Sequence, residues 1–299
     1  MPPSISTPIL TDDDRSRATD LIAEALGEDL DGAMDHTTCA LVPEEATGRV
    51  NIVARQRGVV SGNPLARMVF ESLDRPVLYE TLVPDGESVE PGTLIATIRG
   101  PMRELLVGER TALNFLTLLS GTATLTRRFV EAASGTSAKI LDTRKTLPGL
   151  RALQKYAVRC GGGENHRIGL FDAVLIKDNH LAWWTKSGRT LAEAVTHARS
   201  LVPAGLTIEI EVDSLEQLAQ VLPAAPDIVL VDNYSIADLR MAIALRNDLA
   251  PGVQLEASGG VNLDTVVEIA KTGVDRISVG ALTHSAPALD IGVDWNPDS

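Results

Sequence analysis

The sequence predicts an α/β protein whose C-terminal half is built on a parallel sheet. Six short apolar segments with strand character recur there, and helical stretches separate them. Strands that alternate with helices in this way form parallel sheets with crossover helices, as in β/α barrels. Several of the six segments also finish in a polar or charged residue. The segments are KILDTR (139–144), DAVLIK (172–177), TIEIEV (207–212), DIVLVD (227–232), VQLEAS (253–258) and DRISVG (275–280).

The N-terminal half has the pattern of a mixed α/β layer. Apolar residues at helical spacing follow the candidate caps Thr11 and Asp12, and Asp-Gly and Pro-Gly turns mark a later run of short strands. A long leucine-rich helix then follows, in which Gly121 permits a break, and this helix is a candidate link between two domains. The predicted elements are a helix over 13–29, strands over 49–54 and 58–61, a helix over 64–73, short strands within 82–100 and the long helix over 102–133.

Composition excludes several classes of function. The chain of 299 residues carries a formal net charge of -13, which argues against a nucleic-acid partner. It has no run of eighteen apolar residues and no export signal at its start, so we expect a cytoplasmic protein without a membrane span. Cys39 and Cys160 stand outside any metal-ligand spacing and are expected to be ordinary buried thiols.

One stretch opposes the acidic balance of the chain. Between Lys139 and Lys177 the sequence has eight basic and three acidic residues, a local charge of +5. A small, strongly anionic ligand would explain this positive segment. Arg151, Lys155 and Arg159 are spaced as on a helix, and we interpret them as helix-surface residues instead.

The ends of the six predicted strands carry the candidate functional residues. In a β/α barrel the carboxyl ends of the strands form one face, where the active site lies. A single polar strand end often only marks the chain reaching the surface, but six such ends with cations and carboxylates indicate a site. Glu211 and Asp232 could bind sugar hydroxyls, hold a divalent cation or stabilise a positively charged transition state. The six strand-end residues are Arg144, Lys177, Glu211, Asp232, Ser258 and Gly280.

Two further patterns indicate anion binding. Ser258-Gly259-Gly260 and Gly280-Ala281 are small-residue turns whose backbone N–H groups could approach a phosphate, as the loops after late barrel strands do. In GGGENHRIGLFDAVLIKDNHL (161–181), His166 and Arg167 precede a strand that ends at Lys177. Arginine binds carboxylates as a fork and lysine as a point charge, so this set suits a carboxylate ligand.

Read together, these segments resemble the quinolinate phosphoribosyltransferase family. The resemblance covers nearly the whole chain, and it implies an N-terminal α/β sandwich domain followed by an incomplete, open-faced α/β barrel. The sandwich would comprise residues 1–120, with the tail 286–299 returning to it, and the barrel residues 121–285. The matching pieces are LVPEEATGRVNIVARQRGVVSG (41–62), ERTALNFLTLLSGTAT (109–124), LDTRKTLPGLRALQKYAVRCGGGENHRIGLFDAVLIKDNH (141–180), EIEVDS (209–214), VDNYS (231–235), EASGGV (256–261) and DRISVGALTHSAPALDIGVDW (275–295).

The resemblance also implies roles for particular residues. Quinolinate would be bound by Arg110 from the partner of a homodimer, which in some members is part of a hexamer, together with Arg144, His166, Arg167 and Lys177. Phosphoribosyl pyrophosphate would be bound by Lys145, Glu211, Asp232, Ser258, Gly259, Gly260, Gly280 and His284. Lys145, Glu211 and Asp232 would be the catalytic residues, and Glu211 and Asp232 would hold Mg²⁺, directly or through its other ligands.

The implied reaction converts quinolinate and phosphoribosyl pyrophosphate into nicotinate mononucleotide, pyrophosphate and carbon dioxide, for NAD synthesis. Three alternatives stay open from the sequence: a related transferase acting on another acid such as nicotinate, a Schiff-base aldolase using Lys145 or Lys177, and a metabolite-binding module. The roles of Trp183 and Trp184 are open between packing against a neighbour and burial in the core.

Overall fold

The structure is a computed structural model that describes residues 8–296, and these form two compact units. The first unit contains the chain up to Arg127, Leu147–Gly162 and the chain from Ser285 onward. The second contains Arg128–Thr146 and Gly163–His284. Across the described residues, no helix combines the length and the apolar character needed to cross a bilayer.

The first unit is built on a four-stranded sheet with helices. The strand order is β12-β1-β5-β3, and the chain's last strand pairs antiparallel with β1, from Arg49 opposite Asn296 to Ala54 opposite Ile291. A separate short pair joins β2 and β4. The elements are α1 (Asp12–Leu30), α2 (His36–Leu41), β1 (Thr47–Ala54), β2 (Gly58–Val59), α3 (Asn63–Glu71), β3 (Leu78–Thr81), β4 (Ser88–Val89), β5 (Leu94–Pro101), α4 (Met102–Ala132), α5 (Arg151–Cys160) and β12 (Ile291–Asn296).

Helix α1 begins where its sequence predicts. Thr11 is the N-cap, and its side chain accepts a hydrogen bond from the Asp14 N–H while the Asp14 side chain accepts one from the Thr11 N–H. This capping box satisfies two of the N–H groups that every helix leaves open at its start. Ala18 and Ile22 then bury one face of the helix in the core.

Helix α4 runs unbroken through Gly121, so the break that a glycine permits at this position does not occur. A Cβ built at Gly121 would lie 2.1 Å from the carbonyl oxygen of Pro287, far inside van der Waals contact. Glycine is therefore needed for the close approach of a distant backbone segment, not for a kink. The boundary between the two units falls within this helix, between Arg127 and Arg128.

Helix α5 corrects the interpretation of three basic residues. Lys155 is 1% exposed and so is not a surface residue, and Arg151 and Arg159 are half-buried. Arg159 pairs with Asp14 at 3.4 Å and lies over the ring of Tyr156. The three belong to the first unit, where residues 153–158 of α5 are all buried, a placement that charge counting along the chain does not reveal. Cys160 of this helix is buried as expected, whereas Cys39 is only half-buried.

The second unit contains the predicted parallel sheet. Six strands pair in the order β6-β11-β10-β9-β8-β7, each parallel to its neighbours, and the two outer strands are not paired with each other. The sheet is therefore an open one, and the predicted fold class is confirmed. The elements are β6 (Lys139–Leu141), β7 (Val174–Ile176), α6 (Asp178–Trp184), α7 (Leu191–Leu201), β8 (Ile208–Val212), α8 (Leu215–Val221), β9 (Ile228–Asp232), α9 (Ile236–Leu249), β10 (Gln254–Ser258), α10 (Val266–Ala270), β11 (Arg276–Ser278) and α11 (Ala281–His284).

Candidate active site

A cavity of about 440 Å³ opens at the carboxyl ends of the parallel strands of the second unit. Because parallel strands place their carboxyl ends at one edge, side chains that are far apart in sequence meet there. The residues lining it are Thr143, Arg144, Lys145, His166, Arg167, Leu175, Lys177, Glu211, Leu230, Asp232, Ser258 and Ser278.

The basic wall of the cavity is held by backbone contacts. Thr143 Oγ1 accepts from the Lys145 N–H at 3.0 Å, and Thr283 Oγ1 donates to the Lys145 carbonyl at 2.7 Å. Arg167 Nη1 donates to the Ala173 carbonyl at 3.1 Å. Burial lowers the pKa of Arg167, and the positive charge of Arg144 lowers it further. Two guanidinium groups that repel each other at a cavity wall favour an anionic ligand between them.

Glu211 and Asp232 form the acidic part of the cavity. They stand at the ends of the neighbouring strands β8 and β9. Glu211 Oε2 accepts from Lys177 Nζ at 2.5 Å, and Asp232 Oδ2 accepts from Asn233 Nδ2 at 2.7 Å. Lys177 is therefore paired with a carboxylate of the same cavity.

Two glycines at positive φ, Gly259 and Gly260, form the turn after β10. The Asn233 N–H donates to the Ser258 carbonyl at 2.9 Å, which ties this turn to the end of β9. Gly259 has φ +91°, and a Cβ there would lie 2.2 Å from Asn233 Oδ1, so this position requires glycine. At the next strand end, a Cβ on Gly280 would lie 3.1 Å from His284 Nε2 and 3.2 Å from Lys145 Cδ. Gly280, His284 and Lys145 thus lie close together. Of the residues predicted to bind phosphoribosyl pyrophosphate, Gly259, Gly260, Gly280 and His284 are not among those that line the cavity.

His166 lies at the cavity but its ring points into the sheet interior. Its Nε2 is 3.1 Å from Glu209 Oε2 and 3.3 Å from Glu256 Oε1, and Glu256 Oε2 accepts from Arg276 Nε at 2.7 Å. Its Nδ1 accepts from the Arg167 N–H at 2.8 Å.

Burial and the charged neighbours shift the pKa values of His166 and the two glutamates in opposite directions. Burial alone would lower the pKa of His166, but the hydrogen bonds and negative charges of Glu209 and Glu256 outweigh burial and raise the pKa, which favours a proton on Nε2. A second ring proton on Nδ1 would, however, point at the Arg167 N–H, and Nδ1 could then not accept a hydrogen bond from that group. The geometry is therefore that of the neutral ring with its proton on Nε2. Burial raises the pKa of Glu209, whereas His166 and Arg276 overcome burial and lower the pKa of Glu256.

Comparison with known proteins decides the family. The family model for the quinolinate phosphoribosyl transferase C-terminal domain matches residues 122–294, and the model for the N-terminal domain of the same family matches residues 35–120. The chain belongs to the quinolinate phosphoribosyltransferase family. A nicotinate-nucleotide pyrophosphorylase (carboxylating) of Mycobacterium leprae is 45% identical over 288 residues, which are 96% of this chain and 100% of that protein.

Solved structures of nicotinate-nucleotide pyrophosphorylases have the same fold as this member of the quinolinate phosphoribosyltransferase family. The protein from Francisella tularensis superposes with a TM-score of 0.87 at 39% identity, covering 97% of this chain and 99% of that one. The protein from Ehrlichia chaffeensis gives 0.86 at 39% identity, covering 93% and 98%. The resemblance noted from the sequence is thereby confirmed.

Arg110 is the one predicted site residue of this family member that belongs to the first unit. It is exposed on α4 in the first unit and does not line the cavity. Trp183 and Trp184, whose roles the sequence left open, lie in α6, and neither is in the core. Trp183 is 75% exposed, and half-buried Trp184 donates from Nε1 to the Thr190 carbonyl.

Four residues in or behind the site were not predicted from the sequence: Asp142, Glu209, Glu256 and Arg276. Asp142, which is 0% exposed, accepts from the His166 N–H at 2.9 Å and from Asn165 Nδ2 at 2.6 Å, and so it holds the loop before Arg167. The sequence did contain an indication. Strands of parallel sheets are usually apolar throughout, so a carboxylate in mid-strand such as Glu209 needs an internal partner.

Proposed function

We propose that this chain transfers the phosphoribosyl group of phosphoribosyl pyrophosphate to quinolinate and releases carbon dioxide, giving nicotinate mononucleotide and pyrophosphate for NAD synthesis. The observation that carries the proposal is one cavity with cations on one wall and the Glu211 and Asp232 carboxylates on another. A relative from Nicotiana glauca, 37% identical over 284 residues, is named a quinolinate phosphoribosyltransferase (decarboxylating). Membership of a transferase family over both domains leaves no support for the aldolase and the binding module.

The basic wall suits a pyridine dicarboxylate. Arg144 and Arg167 are close enough for the charge of one to lower the pKa of the other, so a carboxylate between them relieves that repulsion. Lys177 adds a point charge once it leaves Glu211. A monocarboxylate such as nicotinate would use only part of this set.

The opposite side suits the sugar and its phosphates. Backbone N–H groups near Gly259 and Gly260, both at positive φ, would donate to the 5-phosphate, and His284 and Lys145 meet at Gly280. Glu211 and Asp232 supply the oxygen ligands that Mg²⁺ prefers, beside a place for substrate phosphates. When bound, the ion would neutralise charge that develops on the departing pyrophosphate.

The reaction needs few groups beyond those present. The bond from ribose C1 to the pyrophosphate oxygen breaks, C1 acquires positive charge that Glu211 and Asp232 stabilise, and the pyridine nitrogen donates its lone pair to C1. The bond from ring C2 to its carboxylate then breaks. Its electron pair stays on C2 beside the positive nitrogen, carbon dioxide leaves, and C2 takes a proton from solvent.

A homodimer would complete the basic wall, with Arg110 of the partner subunit entering the cavity. Mixing two inactive variants tests this arrangement. Arg110→Ala and Lys145→Ala proteins, mixed in equal amounts after dissociation, should recover up to about a quarter of wild-type activity. About half of the dimers that re-form are mixed, and one of the two sites in each mixed dimer contains neither substitution. Recovery no greater than the sum of the separate variants would contradict a shared site. We place the reaction in the cytoplasm.

The direct test is turnover. The purified chain, with phosphoribosyl pyrophosphate and Mg²⁺, should form nicotinate mononucleotide and carbon dioxide from quinolinate but not from nicotinate, and chelation of Mg²⁺ should abolish both products. Product from nicotinate alone would overturn the assignment of the acid.

Arg167→Ala tests the binding wall. It should raise KM for quinolinate by about 10-fold to 100-fold, since a charge-assisted hydrogen bond contributes about 1.5–3 kcal/mol. Arg199→Ala is the control, because Arg199 pairs with Asp227 at the opposite end of the sheet and should leave KM unchanged. Equal kinetics for the two variants would remove Arg167 from the site.

A further inference from the structure

Beneath the cavity, a group of ionisable side chains is enclosed in the sheet interior. His166 is 7% exposed, Glu209 1% and Glu256 0%, and Arg276 pairs with Glu256. Barrel interiors are ordinarily filled by Val, Ile and Leu. Buried charges are costly even when paired, so this group needs a reason beyond packing.

Both nitrogen atoms of the His166 ring are used by the protein itself. Nε2 faces the two carboxylates at 3.1 and 3.3 Å, and Nδ1 accepts the Arg167 N–H at 2.8 Å. A neutral imidazole has one donor and one acceptor, and both are engaged. The ring is therefore oriented away from a carboxylate in the cavity.

The contact with Nδ1 fixes the residue that faces the ligand. The Arg167 backbone is held by His166, and its Nη1 is held by the Ala173 carbonyl. Its Nε is buried without a hydrogen-bond partner among the described residues. An arginine fork is effective only when its plane is set in advance, because misplacement by about 1 Å costs much of the binding energy.

A metal ion is the competing explanation, since the three ligand atoms lie within 4.8 Å of one another. Two observations favour a hydrogen-bonded group instead. Arg276 already places a positive charge on Glu256, and His166 Nε2 already lies 3.1 Å from Glu209 Oε2, within hydrogen-bond distance. A metal cation would have to displace the proton from His166 Nε2 and bind beside the Arg276 guanidinium, which repels it.

We propose that Glu209 and Glu256, anchored by Arg276, are positioning residues that orient His166 so that its Nδ1 holds the Arg167 backbone at the dicarboxylate wall. The inference rests on the proposed function, because it takes this wall as the quinolinate site. His166 then acts through Arg167 and does not itself contact the carboxylate.

Two substitutions of His166 separate positioning from direct contact. The Oδ1 of Asn can take the place of Nδ1 and still accept the Arg167 N–H, whereas the Nε2 of Gln takes the place of the ring Nε2. His166→Asn loses only the contact with the two carboxylates, so we expect it to raise KM for quinolinate by about fivefold at most. His166→Gln loses the acceptor of the Arg167 N–H, and we expect it to raise KM by at least about tenfold, the value of one lost hydrogen bond. The reverse order would show that Nε2 binds substrate and would overturn the proposal.

A second variant tests the carboxylates. Glu256→Gln should raise KM for quinolinate by about fivefold and leave KM for phosphoribosyl pyrophosphate and kcat within about twofold. Leu255→Ala is the matched control, because Leu255 is the buried neighbour whose side chain points to the other face of β10. It should lower Tm without moving either KM. If Glu256→Gln also lowers only Tm, the group is merely structural and the proposal fails.

A readout independent of turnover keeps the two proposals apart. Wild-type turnover of quinolinate, measured first, tests the proposed function alone. Hydrogen exchange of the Arg167 amide tests the positioning in either case, and it should be about tenfold faster in His166→Gln than in His166→Asn. Equal rates would overturn the positioning role. So would one equivalent of tightly bound divalent metal, found by elemental analysis, that is lost in Glu209→Gln.

Discussion

Lys177 Nζ and Glu211 Oε2 are 2.5 Å apart, so a cation of the proposed dicarboxylate site is paired with a carboxylate of the proposed sugar site. The two residues end the neighbouring strands β7 and β8. A dicarboxylate that attracts Lys177 would release Glu211 toward the ribose. The pair therefore links the two halves of the cavity.

Glu211→Gln should bind quinolinate alone more tightly, while its turnover falls. In this variant quinolinate no longer competes with Glu211 for Lys177. The lost ion pair is partly exposed and is worth about 0.5–1 kcal/mol, which corresponds to about twofold to fivefold in Kd. Calorimetric titration with quinolinate measures this change. Asp213→Asn is the control for loss of a nearby negative charge, and it should leave Kd unchanged. Weaker binding in Glu211→Gln would mean that Glu211 orients Lys177 instead of competing for it.

Gly121→Ala should destabilise the first unit by about 2–4 kcal/mol. The new Cβ would lie 2.1 Å from the Pro287 carbonyl oxygen, so the C-terminal segment must shift. Gly27→Ala is the matched control in another helix of the same unit, since a Cβ there meets nothing within 4 Å. It should stabilise by up to about 1 kcal/mol through helix propensity. Scanning calorimetry measures both, and similar Tm values for the two variants would contradict the close contact.

Asp85→Asn should lower the free energy of unfolding of the first unit by about 1–3 kcal/mol. Buried Asp85 accepts from the N–H groups of Gly62 and Asn63 and from the Tyr156 hydroxyl. An amide in its place turns an NH₂ group toward one of these donors, which then loses its acceptor. Urea unfolding measures the change, with the exposed Asp20→Asn as control. Equal midpoints would show that the three donors find other acceptors.

The stability of the protein should fall at alkaline pH partly because of Cys160. Burial raises the pKa of its thiol to about 12, whereas an unfolded cysteine ionises near pH ~8.5. A raised acid pKa means that the unfolded state loses the proton first, so this contribution is complete below about pH 8.5 and declines as pH rises toward about 12. Between pH 7 and 10, wild type should lose about 2 kcal/mol more than Cys160→Ala in denaturant unfolding. Parallel pH curves for the two proteins would refute the shift.

Much of the cavity could be predicted because its residues stand at strand ends. Six strand-end residues are predicted on one rim, and five of them line the cavity: Arg144, Lys177, Glu211, Asp232 and Ser258. The sixth, Gly280, is not among the lining residues. The alternation of apolar segments with helices is a local property, and it dictates that parallel strands share one carboxyl edge. The roles of these residues in binding and catalysis stay predictions.

The buried group behind the wall could not be predicted in the same way. Glu209 and Glu256 lie on β8 and β10, which are separated by β9, and His166 reaches them from a loop. Their meeting depends on the order in which strands associate, and no spacing along the chain contains that order. The prediction that Lys155 lies on the surface was wrong for a similar reason, since its burial depends on what packs around α5.

By itself, the sequence determined the α/β class, the family and the residue types at the strand ends, because hydrophobic period, turns and motifs are properties of short segments. Only the tertiary structure decided that Lys177 pairs with Glu211, that Gly121 admits the Pro287 backbone and that His166 turns inward to Glu209 and Glu256. Those contacts join residues that are far apart in sequence. Their geometry arises only when the chain has closed its cores and buried polar groups have been brought within reach of one another.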